Sequence, residues 1–179
     1  MVQNIKEVPY GVSDFQTMVE QNIYYVDKTM YIPELEKQAR YLIFIRPRRF
    51  GKSIFLGMLH AYYDIRTKHK FQQWFGNLWI GKHPTPLQGR YQVMHLDFSQ
   101  VGGNIDNLEE KFNFYMGVQL DGFVRDYAEF YSDELRRKVN ATQDAGGKLA
   151  LIQSEAKVKE YPLYLIIDEY DNFTNTVLN

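Results

Sequence analysis

Arg46-Pro47-Arg48-Arg49-Phe50-Gly51-Lys52-Ser53 stands between the apolar run Tyr41-Leu42-Ile43-Phe44-Ile45 and the mixed stretch Ile54-Phe55-Leu56-Gly57-Met58-Leu59. The order reads as strand, loop, helix, with Gly51-Lys52-Ser53 at the turn. Such a turn suits a phosphate. Glycine lets successive backbone N–H groups converge on an anion, the lysine ammonium adds charge at the β and γ phosphates, and the serine hydroxyl can ligate Mg²⁺. On this reading Arg48, Arg49, Phe50, Gly51, Lys52 and Ser53 bind phosphate, and Ser53 also serves the metal. The loop departs from the G-x-x-x-x-G-K-[ST] pattern at Arg46, where the pattern has its first glycine. The competing reading is a basic surface loop that grips nucleic-acid phosphates. The strand before and the helix after favour the nucleotide.

Tyr161-Pro162-Leu163-Tyr164-Leu165-Ile166-Ile167-Asp168-Glu169 supplies the second half of such a site. A continuous apolar run predicts a strand buried on both faces, as in a parallel sheet covered by helices. It ends in two acids. Neighbouring side chains on a strand point to opposite sides, which divides the roles. Asp168 is the candidate for the Mg²⁺ shell together with Ser53, and Glu169 the candidate catalytic base that polarises the attacking water.

With both halves present, the chain resembles the predicted AAA-ATPase-like family found in many bacterial genomes. The resemblance runs from Val8-Pro9-Tyr10-Gly11-Val12-Ser13-Asp14-Phe15 and Tyr24-Tyr25-Val26-Asp27-Lys28-Thr29 through the Arg46–Ser53 loop. It continues through Ala61-Tyr62-Tyr63-Asp64, Phe75-Gly76-Asn77-Leu78-Trp79-Ile80-Gly81-Lys82, Leu96-Asp97-Phe98-Ser99 and the Asp168-Glu169 strand. The family's usual loop has the form seen here, so the resemblance makes Arg46 a family trait. It implies ATP and Mg²⁺ as cofactors and ATP or ADP as the bound partner. It also makes Tyr24, Tyr25 and Val26 adenine candidates, because related ATPases contact the base in this region. Family members often carry a nuclease-like domain farther toward the C-terminus, so a C-terminal domain or protein partner is expected.

Length and composition agree with a soluble domain. The 179 residues suffice for a real core, with 45% hydrophobic and 16% aromatic residues. No apolar stretch approaches the roughly eighteen residues of a membrane span, and the first residues lack a signal-peptide core, so the chain reads as cytoplasmic. Zero cysteines exclude disulfides and thiolate chemistry, and His60, His69, His83 and His95 lack metal-ligand spacing. A net charge of −1 gives nucleic-acid binding no support. Arg136-Arg137-Lys138, after Asp133-Glu134, reads as a solvated helix face with ion pairs. A metal-dependent nuclease built on Asp168, Glu169 and Asp171 wants a lysine after the acids, and none follows Lys159.

The expected fold is α/β, a P-loop NTPase-like parallel sheet with flanking helices. Residues 1–28 read as an irregular arm and 29–179 as the N-terminal part of the ATPase domain. Thr29 is placed to cap a helix to about Arg40, with Pro33 in its first turn. Further helices are expected over Ser53–Asp64, Lys68–Phe75 and Asn104–Tyr131, with Gly146-Gly147 separating two more, and a strand over Tyr91–Phe98. In the architecture that the resemblance implies, the sheet order is 5-1-4-3-2. The ten residues after Glu169 are too few for strands 4 and 5, so a slot between the strands at 41–45 and 163–167 is expected to be empty. Little or no hydrolysis by residues 1–179 alone is the corresponding expectation. Two functions compete: an ATPase that couples nucleotide state to a conformational change in a partner, and a nucleotide-sensing interaction domain without appreciable hydrolysis.

Overall fold

A computed structural model of the chain describes residues 6–38, 41–45, 47, 50–102 and 105–171. The chain forms two compact units, Met1–Arg90 and Tyr91–Asn179. The first is helical: α1 (Phe15–Glu20), α2 (Ile32–Glu36), α3 (Lys52–Tyr63), α4 (Phe71–Phe75) and α5 (Trp79–Lys82). Asp14 starts α1 by accepting the Thr17 N–H at 2.7 Å and its hydroxyl at 2.6 Å. That places Phe15 and Met18 in the core against α3 and α4. The segment read as an irregular arm is therefore partly a core helix. Phe75 stacks on Phe15 at 5.1 Å and on Phe71 at 5.6 Å, and Tyr62 meets Phe75 edge-on at 5.6 Å.

Two buried polar clusters in this unit are paired. Asp64 is fully buried where α3 ends, and its carboxylate accepts Arg66 N–H, Nε and Nη2 at 2.9, 3.1 and 2.9 Å, with His60 Nε2 at 3.3 Å. Glu36 on α2 accepts the hydroxyls of Tyr63 and Thr85 at 3.0 and 2.7 Å. The Thr85 N–H in turn donates to the Tyr62 hydroxyl at 2.8 Å. These bonds tie α2 and the loop before the second unit to the last turn of α3.

The second unit contains β1 (Gln92–Asp97), α6 (Leu108–Asp126), α7 (Asp133–Ala141), α8 (Ala145–Val158) and β2 (Leu163–Asp168). The strands are parallel, in register from Gln92 opposite Leu163 to Asp97 opposite Asp168. Parallel neighbours need a long crossover, and three helices provide it. Lys148 on α8 is buried and pairs with Asp121 on α6 at 2.5 Å. On the surface of α7, Lys138 meets Glu134 at 2.6 Å and Arg136 meets Asp133, the ion-paired helix face expected from sequence.

Side chains close the outer edge of β1. Gln119 on α6 accepts the Asp97 N–H at 2.7 Å and donates to the Asp97 carbonyl at 2.8 Å, and the Tyr127 hydroxyl accepts the Val93 N–H at 2.7 Å. An amide and a phenol thus occupy groups that another strand would use. Tyr127→Phe leaves the buried Val93 N–H without its acceptor, so we expect a loss of about 1–3 kcal/mol. Urea unfolding of the two proteins reads it directly, and equal midpoints would exclude this role for the hydroxyl.

Several expectations need correction. Tyr41–Ile45 forms no strand. Among the described residues it has no ladder partner, and Tyr41, Ile43 and Ile45 are exposed while Phe44 stacks on Phe55 at 5.0 Å. A β-prone run without a neighbour has nothing to bond its backbone. β2 is not buried on both faces, because Leu165 and Ile167 are 49% and 43% exposed. Thr29 does not cap a helix. It opens a short 3-10 turn and is itself held by Asp27, and α2 ends at Glu36. The helix expected from Lys68 begins at Phe71, after a 3-10 stretch. α6 begins at Leu108 and stops at Asp126, short of Tyr131. Gly146-Gly147 lies inside the first turn of α8, where both N–H groups donate to the Asp144 carboxylate at 3.3 and 2.5 Å. The break falls just before, at Thr142–Asp144.

Candidate phosphate turn and acidic strand end

Gly51 has φ +76°, the left-handed conformation that glycine tolerates and other residues strain to adopt. It turns the chain straight into α3, where Lys52 and Ser53 are the first two residues. The first N–H groups of a helix have no intrahelical acceptor, and the helix dipole adds positive potential there. The Gly51 carbonyl already serves the Phe55 N–H at 3.0 Å, which fixes the turn. Ser53 and Phe50 are exposed. Arg46, Arg48 and Arg49 lie outside the described residues.

The adenine candidates lie in the segment Tyr24–Val26. Tyr24 and Val26 are 54% and 58% exposed. Tyr25 packs edge-on against Phe15 at 5.3 Å, and burial pushes its hydroxyl far above the ordinary phenol range. Of the three adenine candidates, two are open to a ligand and one belongs mainly to the core. A residue outside the candidate set reaches the Gly51 turn: a Cβ placed on Gly51 would sit 3.5 Å from Lys28 Nζ. In the sequence its mark is its place between two polar residues, Asp27 and Thr29.

The acids belong to the second unit. Asp168 ends β2, is 7% exposed, and its Oδ1 accepts the Glu169 N–H at 2.9 Å. Asp97 ends β1 in register beside it, with its own Oδ1 accepting the Ser99 N–H at 2.8 Å. Glu169 has φ +53°, uncommon for a residue with a Cβ. The strand thus stops at Asp168, and Tyr170 and Asp171 begin a helical turn. No group of three or more His, Asp or Glu residues that could hold a metal is found among the described residues. No helix among them is long and apolar enough to cross a membrane.

A family model described as predicted AAA-ATPase matches residues 9–179. A protein described as "Uncharacterized protein in vnfD 5'region", from Azotobacter chroococcum mcd 1, is 44% identical over 55 residues. That stretch is 30% of this chain and 11% of the relative's length. No solved structure matches.

Proposed function

We propose, from the premise that this chain belongs to the predicted AAA-ATPase family, that it binds ATP at the Gly51 turn and couples nucleotide state to a conformational change in an attached domain or partner. Family membership points to nucleotide binding in general. The observation that carries the finer reading is the left-handed Gly51 turn opening α3 with Lys52 and Ser53 as its first residues. The turn fits a phosphate, since it offers backbone N–H groups, an ammonium and an exposed hydroxyl together. In this reading Arg48, Arg49, Phe50, Gly51, Lys52 and Ser53 hold the phosphates, and Tyr24 and Val26, with Tyr25 behind them, face the base. Ser53 and Asp168 would hold Mg²⁺, which when bound neutralises charge on the β and γ phosphates. Glu169 orients and deprotonates the attacking water.

The test is thermal stability and phosphate release in the presence of Mg²⁺-ATP. Nucleotide at a hundred times its dissociation constant is expected to stabilise the fold by about 2.7 kcal/mol. Lys52→Ala should remove most of that gain while leaving the nucleotide-free protein nearly as stable. An unchanged gain in Lys52→Ala would sink the reading. Stabilisation without phosphate release would identify a nucleotide-sensing domain in place of a hydrolase.

A further inference from the structure

Lys28 lies between two residues whose side chains are committed to fixing the backbone. Asp27 Oδ1 accepts the Thr29 N–H and hydroxyl at 2.8 and 2.7 Å, and Asp27 Oδ2 accepts the Trp79 N–H at 2.7 Å. The buried Thr29 hydroxyl oxygen accepts the Ile80 N–H at 3.1 Å. Residues 27 and 29 are thereby clamped to the start of α5. The Lys28 side chain runs to the Gly51 turn instead, where its Nζ would be 3.5 Å from a Cβ placed on that glycine. Among the described residues no carboxylate forms an ion pair with this ammonium. A cation brought to an anion-binding turn and given no acidic partner there is a charge that a bound phosphate would complete.

We propose that Lys28 is a second phosphate-binding cation of the nucleotide site, with Asp27 and Thr29 as the positioning residues that hold it there. This rests on the reading of the Gly51 turn as the phosphate site and adds to it a ligand contact from outside the loop and its helix. The arrangement explains why the clamp residues flank the lysine: a flexible side chain is more effective when its backbone is already fixed. A Cβ at position 51 would meet the ammonium only at ordinary contact distance, so the positive φ is what calls for glycine there.

Calorimetric titration of the full chain with ATP tests this, using wild type, Lys28→Met, Lys28→Arg and Lys52→Ala. Removing a charge-assisted hydrogen bond should weaken ATP binding in Lys28→Met by about tenfold or more, with an unchanged melting temperature of the nucleotide-free protein. Lys28→Arg should recover most of the affinity, which a purely structural lysine would not require. Equal affinity of Lys28→Met and wild type, where Lys52→Ala has lost binding, overturns the role of Lys28 and leaves the Gly51 reading standing. A fall in melting temperature for Lys28→Met without recovery of binding in Lys28→Arg also overturns it, in favour of a structural role. No binding by wild type itself would sink the Gly51 reading first, so the two failures are distinguishable.

Discussion

Glu169→Gln is expected to leave nucleotide affinity within about twofold of wild type and to lower phosphate release by roughly 10²–10⁴, the range over which a positioned general base contributes. Asp168→Asn should fail differently. In the proposed role Asp168 is a metal ligand needed for binding itself, so the Asn variant should lose Mg²⁺-dependent affinity while its Mg²⁺-free affinity stays near wild type. The comparison is made in whichever form of the protein turns over ATP, these 179 residues or a longer chain. Loss of binding in Glu169→Gln with retention in Asp168→Asn would reverse the two roles.

The largest effect on stability is expected at Asp64. Burial opposes its charge, but hydrogen bonds from His60, from the Arg66 side chain and from the Arg66 N–H outweigh that cost and lower its pKa to about 2. Asp64→Ala removes the acceptor that all of these donors share. Breaking a buried ion pair on one side is costly, and with Arg66 partly exposed the loss should be about 3 kcal/mol, read by denaturant unfolding at pH 7. The sign with pH follows from the depressed value. The stabilisation linked to ionisation, about 2 kcal/mol, is fully present above the ordinary carboxylate pKa near 4 and is lost as pH falls through about 2. The gap between wild type and Asp64→Ala should therefore narrow between about pH 4 and pH 2. A gap that stays constant over that window would show that the carboxylate is not what the network depends on.

What could be read from sequence was local. α3 follows from the apolar pattern between Ser53 and Asp64, and β1 and β2 follow from short apolar runs bounded by turn residues. Both candidate segments were legible for the same reason, since the Gly51 turn and the Asp168-Glu169 strand end are each contiguous. Failures came where a distant partner decides the outcome. Tyr41–Ile45 has the composition of a strand, but a strand is a property of two segments. Gly146-Gly147 looked like a break, and Asp144 turned it into a helix start. Lys28 carries no local motif of its own, because its approach to Gly51 depends on Asp27 and Thr29 reaching Trp79 and Ile80 about fifty residues away.

The bonds that Gln119 and Tyr127 make to β1 give the sheet a direction of growth. A two-stranded parallel ribbon with both edges bare would be a symmetric template, open to strands at either side and to uncontrolled stacking of copies. Here one side is sealed by groups that cannot propagate a ladder. Recruitment of a further strand, from the same polypeptide or another, is thereby confined to the side of β2, the strand that ends in Asp168. Among the described residues, then, the side left for a further strand is the one beside the candidate acids, so growth of the sheet and completion of the proposed site would be one event.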